Sequence, residues 1–199
     1  MKNGLVYTLA MMLIVGCKES NEPNATAVEQ PIVISNIEKT PELTAELKAQ
    51  ETIDDQFRLL YERFEPMLDR SDSLTGTDAN NDGIRDDIEA FIDALEVTEP
   101  VRKALKQNAR YTQENLYHDF SQKTHANIKK ALEISYKYDE VLACKEFVGI
   151  PVRDITNTGR TVDALTYNTK ARTMTYLAYN HLLNGSVSTL LAAEAQYCE

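Results

Sequence analysis

The sequence predicts an all-α fold, an irregular bundle of five or six helices with one cation-binding loop between the first two. Large apolar residues return every three or four positions in several separate stretches, the spacing that lines one helix face. Residues that start or stop helices bracket those stretches. Residues 45–199 are also long enough to bury a core of their own.

Ile53, Phe57, Leu60 and Phe64 recur at four, three and four, so the first helix has one apolar face; Pro66 ends or kinks it. After a polar loop, Ile88, Phe91, Ile92 and Leu95 mark the second helix. Thr98-Glu99-Pro100 opens the third, since proline's missing N–H has no partner to lose in a first turn. Val101 and Leu105 carry it towards Tyr111. A long helix should follow, with Leu116, Phe120, Ile128, Ala131, Leu132, Ser135, Tyr138 and Leu142 on one side, ending near Cys144. Phe147 to Tyr167 is the least regular stretch, broken by Gly149-Ile150-Pro151 and Asn157-Thr158-Gly159. Asn168 or Thr169 caps a last strong helix, in which Met174, Leu177, Ala178 and Leu182 align before Asn184-Gly185 stops it. Residues 186–197 suit one more short helix. There is no internal repeat.

The stretch richest in chemistry runs from Asp78 to Glu89, Asp-Ala-Asn-Asn-Asp-Gly-Ile-Arg-Asp-Asp-Ile-Glu. Oxygen side chains stand at loop positions one, three, five, nine and twelve, with glycine at six. A hard cation wants six to eight oxygens in a flexible cage, which this spacing supplies around Ca²⁺. The candidate ligands are Asp78, Asn80, Asp82, the carbonyl of Ile84, Asp86 (directly or through water) and Glu89. Gly83 permits the turn that brings the second half of the loop around the ion. The same residues also read as a solvated acidic turn, with Asp86 and Asp87 serving a helix N-terminus. The segment resembles the calcium loops of EF-hands, dockerins and thrombospondin type 3 repeats. It departs from an EF-hand at loop position eight, where Arg85 replaces the usual aliphatic residue. Ser71 to Thr77 is turn-like and does not carry a helix into Asp78. With no sister loop to pair with, a structural clip is expected rather than a sensor that opens a groove.

Residues 1–16 read as a secretory signal, with Lys2 in the basic region and Leu5 to Val15 as the short apolar run. Ile14-Val15-Gly16-Cys17 resembles a bacterial lipobox, which implies that Cys17 is diacylated and becomes the first mature residue. Ordinary cleavage near Gly16, leaving a free Cys17, is the other reading. Lys18 after the lipidated position implies the outer membrane by the sorting rule of enteric lipoproteins. Residues 17–44, rich in Asn, Glu, Pro, Thr and Ser, read as a flexible tether. Its one apolar patch, Pro31-Ile32-Val33-Ile34, either docks on the domain or pairs as an edge strand.

Of three cysteines, Cys144 and Cys198 remain once Cys17 is lipidated, an even pair suited to an oxidising compartment. A bridge between them closes a loop of about 55 residues, worth roughly 4 kcal/mol on the chain-entropy model. Two buried thiols are the alternative. The net charge of −10 becomes −11 without Lys2. So acidic a chain disfavours nucleic acid and anionic membrane surfaces as partners and suits cation binding.

His118 and His125, with Glu114, suggest a metal site on one face of the long helix, or simply a solvated face. His181 falls on the apolar stripe of the last helix and reads as a core histidine. No nucleophile elbow or phosphate-cradling glycine loop is present. The domain has eight tyrosines from Tyr111 onwards and no tryptophan. Such rings either pack at the edge of the core or present a binding surface.

The Asp78–Ile92 segment and the stretch from Asn168 to Asn180 are similar to small secreted proteins of gammaproteobacteria, a resemblance that implies no mechanism. The combined expectation is a non-enzymatic, calcium-binding domain. Cys17 anchors it to the envelope of a Gram-negative bacterium, where it has a structural or interaction role with an envelope protein as partner. The rival expectation is a hydrolase-like periplasmic enzyme in which calcium braces a cleft lined by His118, His125 or Arg172.

Overall fold

A computed structural model of the protein describes residues 33–199. The signal segment 1–16, Cys17 and the tether as far as Ile32 lie outside the described residues. Among the described residues the fold is all-α, with seven helices and no strand. These are α1 (Pro41–Lys48), α2 (Ile53–Phe64), α3 (Asp86–Ala94), α4 (Glu99–Glu114), α5 (His125–Phe147), α6 (Val152–Thr166) and α7 (Lys170–Leu182). No described helix is long and apolar enough to cross a membrane. Thr40, Thr52, Thr124 and Thr169 cap α1, α2, α5 and α7, each accepting a backbone N–H three residues on.

The folded part starts earlier than residue 45. Ile34 and Ile37 are buried, and Ile34 N donates to Met67 O at 2.9 Å. Thr40-Pro41 opens α1, which buries Leu43 and Leu47 against α2. The apolar end of the expected tether therefore docks on the domain.

The expected helix from Leu116 to Cys144 is interrupted. A 3-10 turn (Asn115–Tyr117) ends α4 and α5 starts only at His125, so His118 and His125 do not share a helix. Asn127 fixes the break by donating to Asp119 O and Gln122 O. The stretch expected to be irregular is the regular helix α6. Gly149 takes φ +82° and Pro151 follows as N-cap, so the break between α5 and α6 is short. Residues 186–197 hold only a 3-10 turn (Ala195–Tyr197).

Helix α4 lies at the centre, packed on α3, α5 and α6. The larger apolar core joins Phe57 and Leu60 of α2, Ile88 and Phe91 of α3, Leu105 of α4 and Leu165 of α6. A smaller one joins Phe120, Ala131 and Ile134 to Tyr179 and Leu182 of α7. Buried polar side chains include Asn108, Gln113, Asn115, Lys145 and Arg172. The Cys144–Cys198 disulfide (Cα–Cα 5.0 Å) pins the chain end to α5. Gln107 Nε2 adds a hydrogen bond to Tyr197 O at 2.8 Å.

Candidate functional site

The Asp78–Glu89 loop closes on its own backbone. Asp78 accepts from the N–H groups of Asp82 (3.1 Å) and Gly83 (2.9 Å), which folds the loop back over its first residue. Asn80 Oδ1 accepts from Asp82 N, and Asp82 Oδ1 accepts from Ile84 N. Asn81 at φ 58° and Gly83 at φ 84° supply the left-handed turns that this requires. Asp86 N donates to Thr77 O at 2.8 Å, and Asp86 Oδ1 receives Ala79 N, closing the neck of the loop. Glu89, in the first turn of α3, meets Asn80 Nδ2 across the loop at 3.0 Å. The Ile84 side chain is fully buried in the main core, which anchors the loop's second half.

The donor chemistry fits a hard cation, because the side chains at loop positions one, three, five, nine and twelve all carry oxygen. The cage is not closed, however. Among the described residues no three His, Cys, Asp or Glu side chains converge closely enough to hold a metal ion. Their oxygens sit on loop N–H groups, and Lys106 Nζ holds Glu89 Oε1 at 2.7 Å and Asp93 Oδ1 at 2.8 Å. Burial works to lower the Lys106 pKa, but these two carboxylates outweigh it and hold the ammonium above its ordinary range. Arg110 reaches Asp82 O from α4 at 2.6 Å and pairs with Glu199.

Behind the loop lies a buried ion network of Asp69, Arg85, Asp87 and Arg172, each at most 2 % exposed. Arg85 turns inward, pairing with Asp87 and donating to Leu165 O (2.9 Å) and Thr166 O (3.3 Å) at the end of α6. Arg85 N donates to Gln113 Oε1, and Gln113 Nε2 donates to Thr75 O. Asp87 Oδ2 accepts Asp69 N at 2.8 Å. Arg172 spreads its guanidinium over the carbonyls of Asp69, Ser73 and Leu74 and over Asn168 Oδ1. Burial pushes the Asp69 carboxyl up, but hydrogen bonds from Ser71 and the charges of Arg172 and Arg85 hold it below the usual carboxylate range. At Gly76 (φ +67°) a Cβ would stand 2.6 Å from Asp69 Oδ2 and run into the Arg85 stem. The turn before the Asp78–Glu89 loop is thus clamped by the buried ion network.

Sequence reasoning gives Arg85, Asp87 and Arg172 other parts, does not single out Asp69, and misses that the four form one buried network. The signal for one of them was visible: Arg85 where an aliphatic residue is expected. The histidines are not brought together. His118 lies beside Phe120 in an open groove, while His125 opens α5 in the exposed layer. His181 is exposed, a correction with a clear cause. Burying Arg172, Tyr179 and Leu182 turns that face of α7 inward, so Met174, Leu177 and His181 face solvent. Of the tyrosines, Tyr179 is buried, Tyr117, Tyr136 and Tyr138 are exposed, and Tyr111, Tyr167, Tyr176 and Tyr197 are half-buried. No family model, curated protein or solved structure matches this chain.

Proposed function

We propose that the protein is a lipid-anchored, calcium-binding component of a Gram-negative cell envelope, held at the membrane by Cys17, with calcium acting as a structural clip. One observation supports the calcium reading above the others: the Asp78 carboxylate gathers the N–H groups of Asp82 and Gly83 and so folds the loop into a ring. A bound Ca²⁺ would supply the charge that offsets the carboxylates lining that ring. Asp78, Asn80, Asp82, the Ile84 carbonyl, Asp86 and Glu89 would hold it, with Glu89 coupling the ion to α3. The clamped turn on one side and buried Ile84 on the other leave little freedom for a large opening, which favours a clip over a switch. Exported loops of this chemistry bind at about 10⁻⁴ to 10⁻³ M. At tenfold excess over such a constant, linkage adds about 1.4 kcal/mol of stability. The exposed Leu177 and Met174 of α7 and Tyr117 fit an interaction role with an envelope partner.

Thermal melts of the purified protein with calcium and with chelator test the clip. Calcium should raise Tm for the native chain and leave Asp82→Ala and Glu89→Ala unmoved. A shift that survives both substitutions rejects the ligand assignment. For the anchor, Cys17→Ala should move the protein from the membrane fraction to the soluble envelope fraction, and continued sedimentation with membranes rejects it.

A further inference from the structure

Away from the calcium loop, the middles of α4 and α5 and the ends of α6 and α7 bring together tyrosines and one carboxylate. Asp163 and Tyr167, four positions apart at the end of α6, share a helix face. Thr112 of α4 joins them: its Oγ1 lies 3.4 Å from Asp163 Oδ1, and its carbonyl accepts the Tyr167 hydroxyl at 2.8 Å. The Tyr167 ring stacks on Tyr176 of α7 with centroids 4.5 Å apart, and Tyr111, next to Thr112, stacks on Tyr138 of α5 at 5.3 Å. Two stacked tyrosine pairs therefore flank one carboxylate.

Asp163 is exposed, and among the described residues it has no cation within salt-bridge distance; Thr112 is its one hydrogen-bonding neighbour. The cation whose charge reaches it, Lys145, is sealed from solvent with its ammonium on Asn108 and Thr158. Loss of water around the side chain pushes Asp163 up, as it does Tyr111, Tyr138, Tyr167 and Tyr176, and the Asp163 charge raises all four tyrosines further. Tyr179, buried at 3 % exposure, sits against Tyr111 but outside hydrogen-bond geometry, so its hydroxyl has no partner. The cluster thus offers negative charge and ring faces, with no exposed cation among the described residues paired to Asp163.

A small hard ion would demand more oxygens than one carboxylate provides. An anion would be repelled. A solvated organic ammonium matches, because a positive charge spread over methyl or methylene groups is attracted both by the carboxylate and by the electron-rich faces of tyrosine. We propose that Asp163, with Tyr138, Tyr176 and the rings stacked behind them, binds an organic ammonium group, independently of the calcium loop.

Choline is the probe, and 3,3-dimethyl-1-butanol is its neutral isostere. Since the chain has no tryptophan, tyrosine fluorescence reports on the site directly. Choline titrated into the full-length protein should change that signal saturably in the millimolar range, with the neutral isostere at least about tenfold weaker. Asp163→Asn should weaken choline about tenfold or more, and Tyr176→Leu should weaken it while the calcium-dependent melting shift persists. Equal response to both probes, no saturable response, or unchanged affinity in a folded Asp163→Asn protein each overturns the proposal. Should Asp163→Asn not fold, the isostere comparison on the native chain and Tyr176→Leu decide it alone.

Discussion

Arg172 shows how much one side chain settles. Its buried guanidinium lies beneath the 69–77 turn and donates to the main-chain carbonyls of Asp69, Ser73 and Leu74. Removing it leaves Asp69 as an unpaired buried charge, so Arg172→Met should cost about 3–5 kcal/mol. Urea denaturation measures this, and a loss below about 1 kcal/mol would contradict the clamp. Lys145 gives a second prediction, in pH. Burial lowers its pKa from 10.5 to about 8. Below pH 8 both folded and unfolded chains carry the proton and the burial cost is fully felt. Between pH 8 and 10.5 the unfolded chain keeps a proton that the folded chain has lost, so stability rises with pH. The full gain is on the order of 3 kcal/mol. Tyr111 and Tyr167 work the other way above their ordinary range, since folding raises their pKa and stability is then lost as they ionise in the unfolded chain. Denaturation curves from pH 7.5 to about 9.5 should therefore show increasing stability in the native chain and a flat profile in Lys145→Met.

At the scale of elements, the Asp78–Glu89 loop and α3 are joined through Glu89, whose carboxylate meets Asn80 Nδ2. Lys106 of α4 neutralises that carboxylate and competes with any cation for it. Replacing Lys106 with Met removes a positive charge beside the loop, worth about 1 kcal/mol under water-like screening. Calcium should then bind about fivefold more tightly, and weaker binding in Lys106→Met would show that Glu89 is not a ligand. The helices that the sequence displays best are those with a clean apolar stripe and a proline at one end. Ile53, Phe57, Leu60 and Phe64, and Thr98-Glu99-Pro100 with Leu105, fall where they are expected. Helix α6 is hidden because Gly159 and Thr158 look like breakers. Yet Thr158 Oγ1 returns its hydrogen bond to Asp154 O within the helix, and Gly159 lies close to Asn108 and Lys145. The face of α7 is misread because periodicity favours Met174 and Leu177, whereas the buried arginine that orients the helix is polar. The closed form of the Asp78–Glu89 loop is legible, since the spacing of its oxygen side chains is local. Its clamp is not, because Asp69, Arg85 and Arg172 meet only through tertiary structure.

For the whole molecule, the chain end and the loop are linked through α4. Arg110 touches both Asp82 O and Glu199, and the disulfide holds the terminal segment in place. Reducing Cys144–Cys198, or replacing Cys198 with Ser, should lower stability by roughly 4 kcal/mol, read from the denaturant midpoint. Ile34 and Ile37 are buried, so the packed part of the chain begins before residue 45, where the sequence places its start. The proposed clip requires that the Asp78–Glu89 loop of the exported chain capture calcium. Isothermal titration of CaCl₂ into the purified full-length protein tests it most directly. One site per chain, with a constant in the range of about 10⁻⁴ to 10⁻³ M and lost in Asp82→Ala, is the predicted result. The absence of binding heat throughout the millimolar range would contradict it.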